Sequence, residues 1–168
     1  MTWITHGFFA GVFSHLLGLH VGMAVLGSTS PDWLEDLFGL REHRGPTHYV
    51  VVWLPLLVGS CFLYFLFPTF PLKEIFSFCL GGFSHLFLDA LTRTGIPFNK
   101  RNRIRIGGLI TTGGLSEWIF LGMLGLFFLP FLLFDLGLEI GGNLKELFEE
   151  GIIDKKEYEE LRRFPFPF

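Results

Sequence analysis

The segment 49–67, YVVVWLPLLVGSCFLYFLF, contains nineteen consecutive residues without a charged side chain. A helix of that length spans about 28 Å, close to the ~30 Å hydrocarbon core of a bilayer. Two further segments of similar length follow at 72–92 and 115–136, and most charged residues lie outside the three segments. Half of the chain is hydrophobic. The pattern predicts an all-α fold, a polytopic transmembrane helix bundle.

The first 31 residues contain no Asp, Glu, Lys or Arg. As a single helix they would measure about 46 Å, which is too long for a simple crossing. The sequence GLHVG at 18–22 interrupts the apolar pattern. We therefore expect two short helices, 3–17 and 21–29, in an N-terminal re-entrant helical hairpin that is surrounded by protein. One tilted helix that crosses the bilayer is the alternative.

The loop 93–114 contains five basic residues and no acidic residue. The positive-inside rule places such a loop in the cytoplasm. Counting crossings back puts loop 30–48 on the same side, together with the N-terminus if the first segment is a hairpin. We therefore predict a multi-pass protein of the inner (cytoplasmic) membrane with membrane lipid as its surroundings and no nucleic acid partner. Cys61 and Cys79 lie in apolar runs without metal or redox spacing, and we interpret both as packing residues.

The composition changes after residue 142, where NLKELFEEGIIDKKEYEELRR is polar and amphipathic. Gly151 is expected to end one helix and Asp154 to cap the next, which predicts a short C-terminal helical hairpin. This stretch resembles the hairpin domain called SHOCT, and the resemblance implies self-association through 143–163 rather than catalysis. We therefore predict a membrane-embedded domain at 1–138 and a hairpin at 143–163. Counting crossings places this hairpin on the side opposite to loop 93–114.

The stretch GFSHLFLDALTRTG at 82–95 places His85 and Asp89 four residues apart. In a helix this spacing puts both side chains on one face. A buried aspartate in a membrane helix costs about 2.5–3.5 kcal/mol or more, so we expect it to have a partner. A simple His–Asp hydrogen bond is one interpretation, and ligation of a metal is the other.

Two histidines lie close together in EHRGPTH at 42–48, where Gly45 allows the backbone to bring His43 and His48 toward one point. Arg44 between them suits an anionic oxygen such as phosphate, although the stretch could also be a polar surface loop. Asp32 follows an apolar segment and could cap a helix instead of binding a metal. Glu117 begins the third apolar run, where it could simply complement a helix dipole.

The candidate residues are predicted to lie near the same face of the membrane. Imidazole and carboxylate groups without thiolates suit zinc, manganese or another divalent metal. His15 and His20 fall outside this set, and we interpret them as structural. The set consists of His6, Asp32, His43, His48, His85, Asp89 and Glu117.

Four successive stretches are similar to the motifs of one known family: THGFFAG at 5–11, GSTSPDW at 27–33, HRGPTH at 43–48 and GGFSHLFLDALTRTGIP at 81–97. Together they resemble the YdjM-type family, described as LexA-regulated, membrane-bound, metal-dependent hydrolases. The resemblance covers residues 1 to about 120. It implies a polytopic inner-membrane protein that hydrolyses phospholipids. The family's motif positions carry over as metal ligands onto His6, Asp32, His43, His48, His85 and Asp89.

The sequence departs from this family at one position. Family members often have a second Asp two residues after the first, and Leu34 stands there in this chain. Glu35 or Asp36 would have to substitute in a two-metal site.

We therefore predict a membrane-bound, metal-dependent hydrolase acting on a phosphoester or lipid-linked substrate at the cytoplasmic face. The metal, zinc or manganese, would activate a water molecule for attack. Asp32 or Glu117 would be the general base, and Arg44 would hold the anionic substrate. A non-enzymatic membrane scaffold with a structural metal site is the alternative. A haem or ion-conducting protein is a further one, for which only His15 and His85 are placed suitably within the membrane.

Overall fold

The structure, a computed structural model, describes residues 1–39 and 45–161. These residues form six α-helices, a 3-10 turn at Pro46–His48 and a two-stranded antiparallel hairpin. The predicted all-α class is confirmed at this level, since the hairpin strands contain two residues each. The elements are α1 (Trp3–Leu16), α2 (Val21–Leu37), α3 (Val50–Leu66), α4 (Leu72–Ala90), β1 (Ile96–Pro97), β2 (Arg103–Ile104), α5 (Leu115–Glu149) and α6 (Lys155–Leu161).

The first apolar segment forms two helices, as predicted, and not one long span. Gly18 adopts a positive φ of 64° between α1 and α2, a conformation that glycine tolerates best. The helices run antiparallel, because Gly7 of α1 faces Val25 while Gly11 also faces Val21. Whether this hairpin is re-entrant in a membrane stays a prediction.

Helix α2 continues to Leu37, beyond the limit of 29 expected from the sequence. Asp32 therefore lies inside the helix, and its predicted alternative role as an N-cap is wrong. Pro31 cannot donate an amide hydrogen bond to the carbonyl four residues earlier, at Gly27. The hydroxyl of Ser30 donates to that carbonyl instead, at 2.6 Å, which allows the helix to pass through the proline.

Helix α4 is the central helix of the first four, because it packs against α1, α2 and α3. Glycines let the backbones of α2 and α4 approach closely. A Cβ atom at Gly27 would lie 2.0 Å from the carbonyl oxygen of Phe78, and one at Gly81 would lie 2.0 Å from that of Ala24. Glycines that let helix backbones approach closely are common where helices pack in membranes.

The basic loop 93–114 contains the β1–β2 hairpin, in which Pro97 pairs with Arg103. Gly95 has a φ of 62°, and a Cβ there would lie 2.4 Å from the carbonyl oxygen of Ile104. The amide of Ile106 donates to the carbonyl of Ala90 at 2.8 Å. These features hold the hairpin against the end of α4.

The chain divides into two compact units, Met1–Gly122 and Met123–Phe168. Helix α5 continues through Gly142 without a break, so the limits 138 and 143 predicted for the two domains do not coincide with a helix end. In the second unit, Asp154 accepts hydrogen bonds from the amides of Lys156 and Glu157 at 2.7 and 2.8 Å. The predicted helix cap at Asp154 is thereby confirmed.

Among the described helices, one has the length and composition to cross a membrane, over Leu115–Leu136. Helix α3 is strongly apolar but contains only 17 residues. The third predicted crossing therefore has the expected helical form, whereas a multi-pass topology stays a prediction.

Candidate metal centre

The structure brings five of the six predicted metal ligands together, all in the first compact unit. Their side-chain atoms form two groups of three, and within each group all ligand atoms lie within 4.8 Å of one another. His85 belongs to both groups. His43 and Arg44 lie outside the described residues. The groups are His6, His85 and Asp89, and Asp32, His48 and His85.

Helix α4 supplies His85 and Asp89, whose spacing of four residues places them on one face as expected. The Nδ1 atom of His85 lies 2.7 Å from the carbonyl oxygen of Ser28, which can only accept, so Nδ1 carries the proton. The lone pair of the neutral ring is then on Nε2. That atom lies 3.7 Å from Asp32 Oδ1 and 3.9 Å from Asp89 Oδ2.

His48 is the last residue of the 3-10 turn, and Glu35 of α2 orients its ring. Nδ1 of His48 lies 3.0 Å from Oε1 of Glu35, and Nε2 lies 3.2 Å from Oδ1 of Asp32. The amide of Gly45 also donates to Oε1 of Glu35, at 2.6 Å. A carboxylate behind an imidazole is a common arrangement that fixes the tautomer of a metal-binding histidine. Glu35 thus has the geometry of a residue that orients a ligand. It does not have the geometry of a metal ligand that would replace the second aspartate expected at position 34.

His6 of α1 lies flat against His85, with ring centroids 3.9 Å apart and an angle of 15° between the planes. Its Nε2 atom is 3.5 Å from Oδ1 of Asp89, which also contacts the amino group of Met1. Neither ring nitrogen of His6 has a hydrogen-bond partner among the described residues. Because His6 is fully buried, these nitrogens are also shielded from water.

The arrangement is consistent with a bound divalent cation. Buried polar atoms normally have a partner, yet Nε2 of His85 and both nitrogens of His6 form no hydrogen bond in the described part of the chain. A lone pair on Nε2 of His85 faces two carboxylates, a repulsive arrangement unless a proton or a cation lies between them. Ligand atoms around an ion with bonds of about 2.1 Å are themselves roughly 3–3.5 Å apart, near the observed spacings. Each group could therefore hold a divalent ion.

Asp32 lies on α2, and the side chain of Trp3 on α1 forms a hydrogen bond with its carboxylate. The indole of Trp3 donates to Oδ2 at 2.8 Å. Burial by itself raises the pKa of Asp32, but the hydrogen bond with His48, the electrostatic interaction with His85 and the bond from Trp3 together lower that pKa to about 2. The carboxylate is therefore ionised at neutral pH, as a metal ligand must be.

Glu117 is buried at the start of α5, where it holds the N-terminal residues. Its Oε1 accepts from the amide of Thr2 at 2.6 Å, the hydroxyl of Thr2 at 2.9 Å and the hydroxyl of Thr5 at 2.7 Å. Its Oε2 accepts from the amide of Gly113 at 2.7 Å. Both oxygens are therefore occupied by structural hydrogen bonds, and the general-base role predicted for Glu117 gains no support from this geometry.

Ser28 and Trp3 were not predicted from the sequence, and Glu35 was named only as a substitute ligand and not as a residue that orients His48. Ser28 and Glu35, which orient two of the histidines, share a helix face with Asp32, because the three are four and three residues apart. This spacing could have indicated that Ser28 and Glu35 lie beside Asp32. It does so only if α2 is known to extend past residue 29. Trp3 gave no local signal.

A cavity of about 330 Å³ opens beside the cluster. Asp32, His85 and Asp89 form one part of its lining. Thr94, Arg103 and Thr112 from the segment between α4 and α5 form another part. A small molecule in this cavity could therefore reach the histidine and aspartate cluster.

Comparisons with protein-family models, with curated proteins and with solved structures found no match for this chain. The resemblance to the YdjM-type family therefore stays a prediction, and the proposed function rests on the geometry of the site.

Proposed function

We propose that the chain is a membrane-bound, metal-dependent hydrolase that acts on a phosphoester or lipid-linked substrate. One observation carries the proposal: three buried histidines and two aspartates converge from α1, α2, α4 and the turn before α3. Bringing several polar groups into an apolar interior costs free energy unless they are compensated. A bound cation would supply that compensation.

The residues of the site have separate roles in this proposal. His6, His85 and Asp89 would form one group of metal ligands and Asp32, His48 and His85 the other, while Glu35 and the carbonyl of Ser28 fix the imidazole orientations. A bound divalent ion would supply Lewis-acid chemistry for hydrolysis. Asp32 lines the cavity and would accept a proton from water there, in preference to Glu117, whose oxygens are engaged elsewhere.

The cavity favours an enzyme over a scaffold with a structural metal. Structural sites enclose their ion completely, whereas catalytic sites leave a position open to water and substrate. Here both aspartates and His85 reach a cavity of about 330 Å³. A volume of this size admits a small substrate or the headgroup of a larger one.

The distribution of polar and apolar side chains supports a multi-pass membrane location. Buried residues include Thr5, Ser14 and Ser28, whereas large apolar residues of α3 face outward. Phe62 is 61% exposed and Phe65 is 83% exposed. A water-soluble protein rarely exposes such a contiguous apolar surface, but lipid tails would cover it.

Metal analysis of the detergent-purified protein tests the proposal. Wild-type protein should retain a divalent metal through gel filtration, whereas His85→Ala and Asp89→Asn should lose most of it. Loss of a ligand should reduce metal affinity by more than the roughly 10- to 100-fold typical of an orienting residue. The amide introduced by Asp89→Asn would still accept a hydrogen bond, so a purely structural His–Asp pair predicts little change.

His15→Ala is the matched control, because His15 is an exposed histidine on the same helix as His6. It should retain the metal content of the wild type. Circular dichroism and a single elution peak establish that each variant is folded. Wild-type metal content in both His85→Ala and Asp89→Asn would refute the metalloenzyme proposal.

A further inference from the structure

The cavity beside the metal centre has a basic side chain that the function proposed above does not use. Arg103 lies on β2 and lines the same cavity as Asp32, His85 and Asp89. Its side chain forms no ion pair with any other side chain that the structure describes. The N–H donors of its guanidinium are thus available to a molecule in the cavity.

The hairpin holds Arg103 in a defined position. Its strand neighbour Ile104 packs against the apolar cluster that includes buried Ile96, so consecutive side chains of β2 point to different sides. The backbone amide of Val51 donates to the carbonyl of Phe98 at 3.3 Å, and this bond joins the hairpin to α3. An arginine on such a support loses less conformational entropy on binding than one on a mobile loop.

Two hydroxyl groups lie in the same lining. Thr94 follows α4, and its hydroxyl is 3.1 Å from that of Thr92. Thr112 precedes α5. Hydroxyls and a guanidinium together match the oxygen-rich surface of a phosphoryl group, to which arginine binds in a bidentate manner.

The charge of the cavity also fits an anion. A divalent cation would offset the charges of Asp32 and Asp89. The amino group of Met1, which contacts Asp89, and the guanidinium of Arg103 would then give the cavity a net positive charge. An anionic substrate entering between the cation and the guanidinium would be held from both sides, as is usual in phosphoryl-transfer sites.

We propose that Arg103, with the hydroxyls of Thr94 and Thr112, forms a phosphate-binding subsite that positions a phosphoester beside the metal centre. This inference rests on the proposed function and assigns its substrate class. The phosphate could belong to a lipid headgroup or to a water-soluble phosphoester, because the recognised chemistry is the same.

Binding of inorganic phosphate to the zinc-loaded, full-length protein in detergent tests the subsite. Arg103→Gln should weaken binding by at least about tenfold, as expected for loss of a charge-assisted hydrogen bond. Arg101→Gln is the matched control, since Arg101 lies in the same hairpin turn, is exposed and does not line the cavity. It should bind phosphate within about twofold of the wild type. The loss of one exposed charge that salt screens is expected to change phosphate binding by no more than this.

Metal content is measured on the same samples. If the wild type holds no metal, the proposed function fails. If all three proteins hold equal metal but Arg103→Gln binds phosphate as tightly as Arg101→Gln, the subsite is refuted and the proposed function stands. Calorimetry with dihexanoyl phosphatidic acid and with glycerol 3-phosphate then distinguishes the sources. Tighter binding of the first identifies a lipid headgroup, and equal binding identifies a soluble phosphoester.

Discussion

At the scale of single residues, Glu35 fixes the ring of His48 without joining either group of candidate ligands. Glu35→Gln preserves the size of the side chain but removes the charge behind Nδ1, 3.0 Å away. A neutral partner leaves the imidazole less basic and less strictly oriented. We expect metal affinity to fall about 10- to 100-fold, measured by competition with a chromophoric chelator.

Asp36→Asn serves as the control for that experiment, because it removes the neighbouring, exposed carboxylate of the same helix. It should leave metal affinity unchanged. Equal affinities in the two variants would show that Glu35 does not orient a metal ligand.

At the scale of helices, the close approach of α2 and α4 places Ser28 and Asp32 beside His85. Gly81→Ala would put a methyl group 2.0 Å from the carbonyl oxygen of Ala24 and 2.8 Å from the amide nitrogen of Ser28, so the helices must separate. We expect a loss of about 1–3 kcal/mol in the free energy of unfolding, as for overpacked interiors. Metal content should decrease in parallel, because the carbonyl that orients His85 would move.

Gly59, an exposed glycine on α3, provides the comparison. Around Gly59 on α3, a Cβ would meet no heavy atom within 4 Å among the described residues outside its own helical backbone. Gly59→Ala should therefore unfold at or above the wild-type temperature and keep its metal, since alanine has the higher helix propensity. If Gly81→Ala behaves in the same way, close packing of α2 on α4 does not determine the site.

At the scale of the whole molecule, a shared site requires the end of α2 and the β1–β2 hairpin to lie on the same side of a membrane. Single cysteines at Asp36 and Asn102, in a background with Cys61 and Cys79 replaced by alanine, should both react with an impermeant maleimide from the cytoplasmic side. A cysteine at Thr69, beyond the far end of α3, should react only from the opposite side. Labelling of Asp36→Cys and Asn102→Cys from opposite sides would contradict the predicted topology.

The sequence by itself determined those features that depend on neighbours along the chain. His85 and Asp89 share a helix face because four residues make about one turn, and GLHVG separates α1 from α2 because glycine adopts the positive φ found at Gly18. Apolar runs of sufficient length likewise indicated helices at 49–67, 72–92 and 115–136. Such local rules need no knowledge of the rest of the fold.

Tertiary structure alone decided how these parts meet. The orientation of His85 depends on Ser28, which is 57 positions away, and the role of Glu117 depends on Thr2, 115 positions away. Arg103 was one of five basic residues in a loop, and only the β1–β2 hairpin places it at the cavity. Helix-to-helix distance is set by side-chain volumes at the contact, here the glycines at 27 and 81, and residues far apart in sequence carry no local signal of that packing.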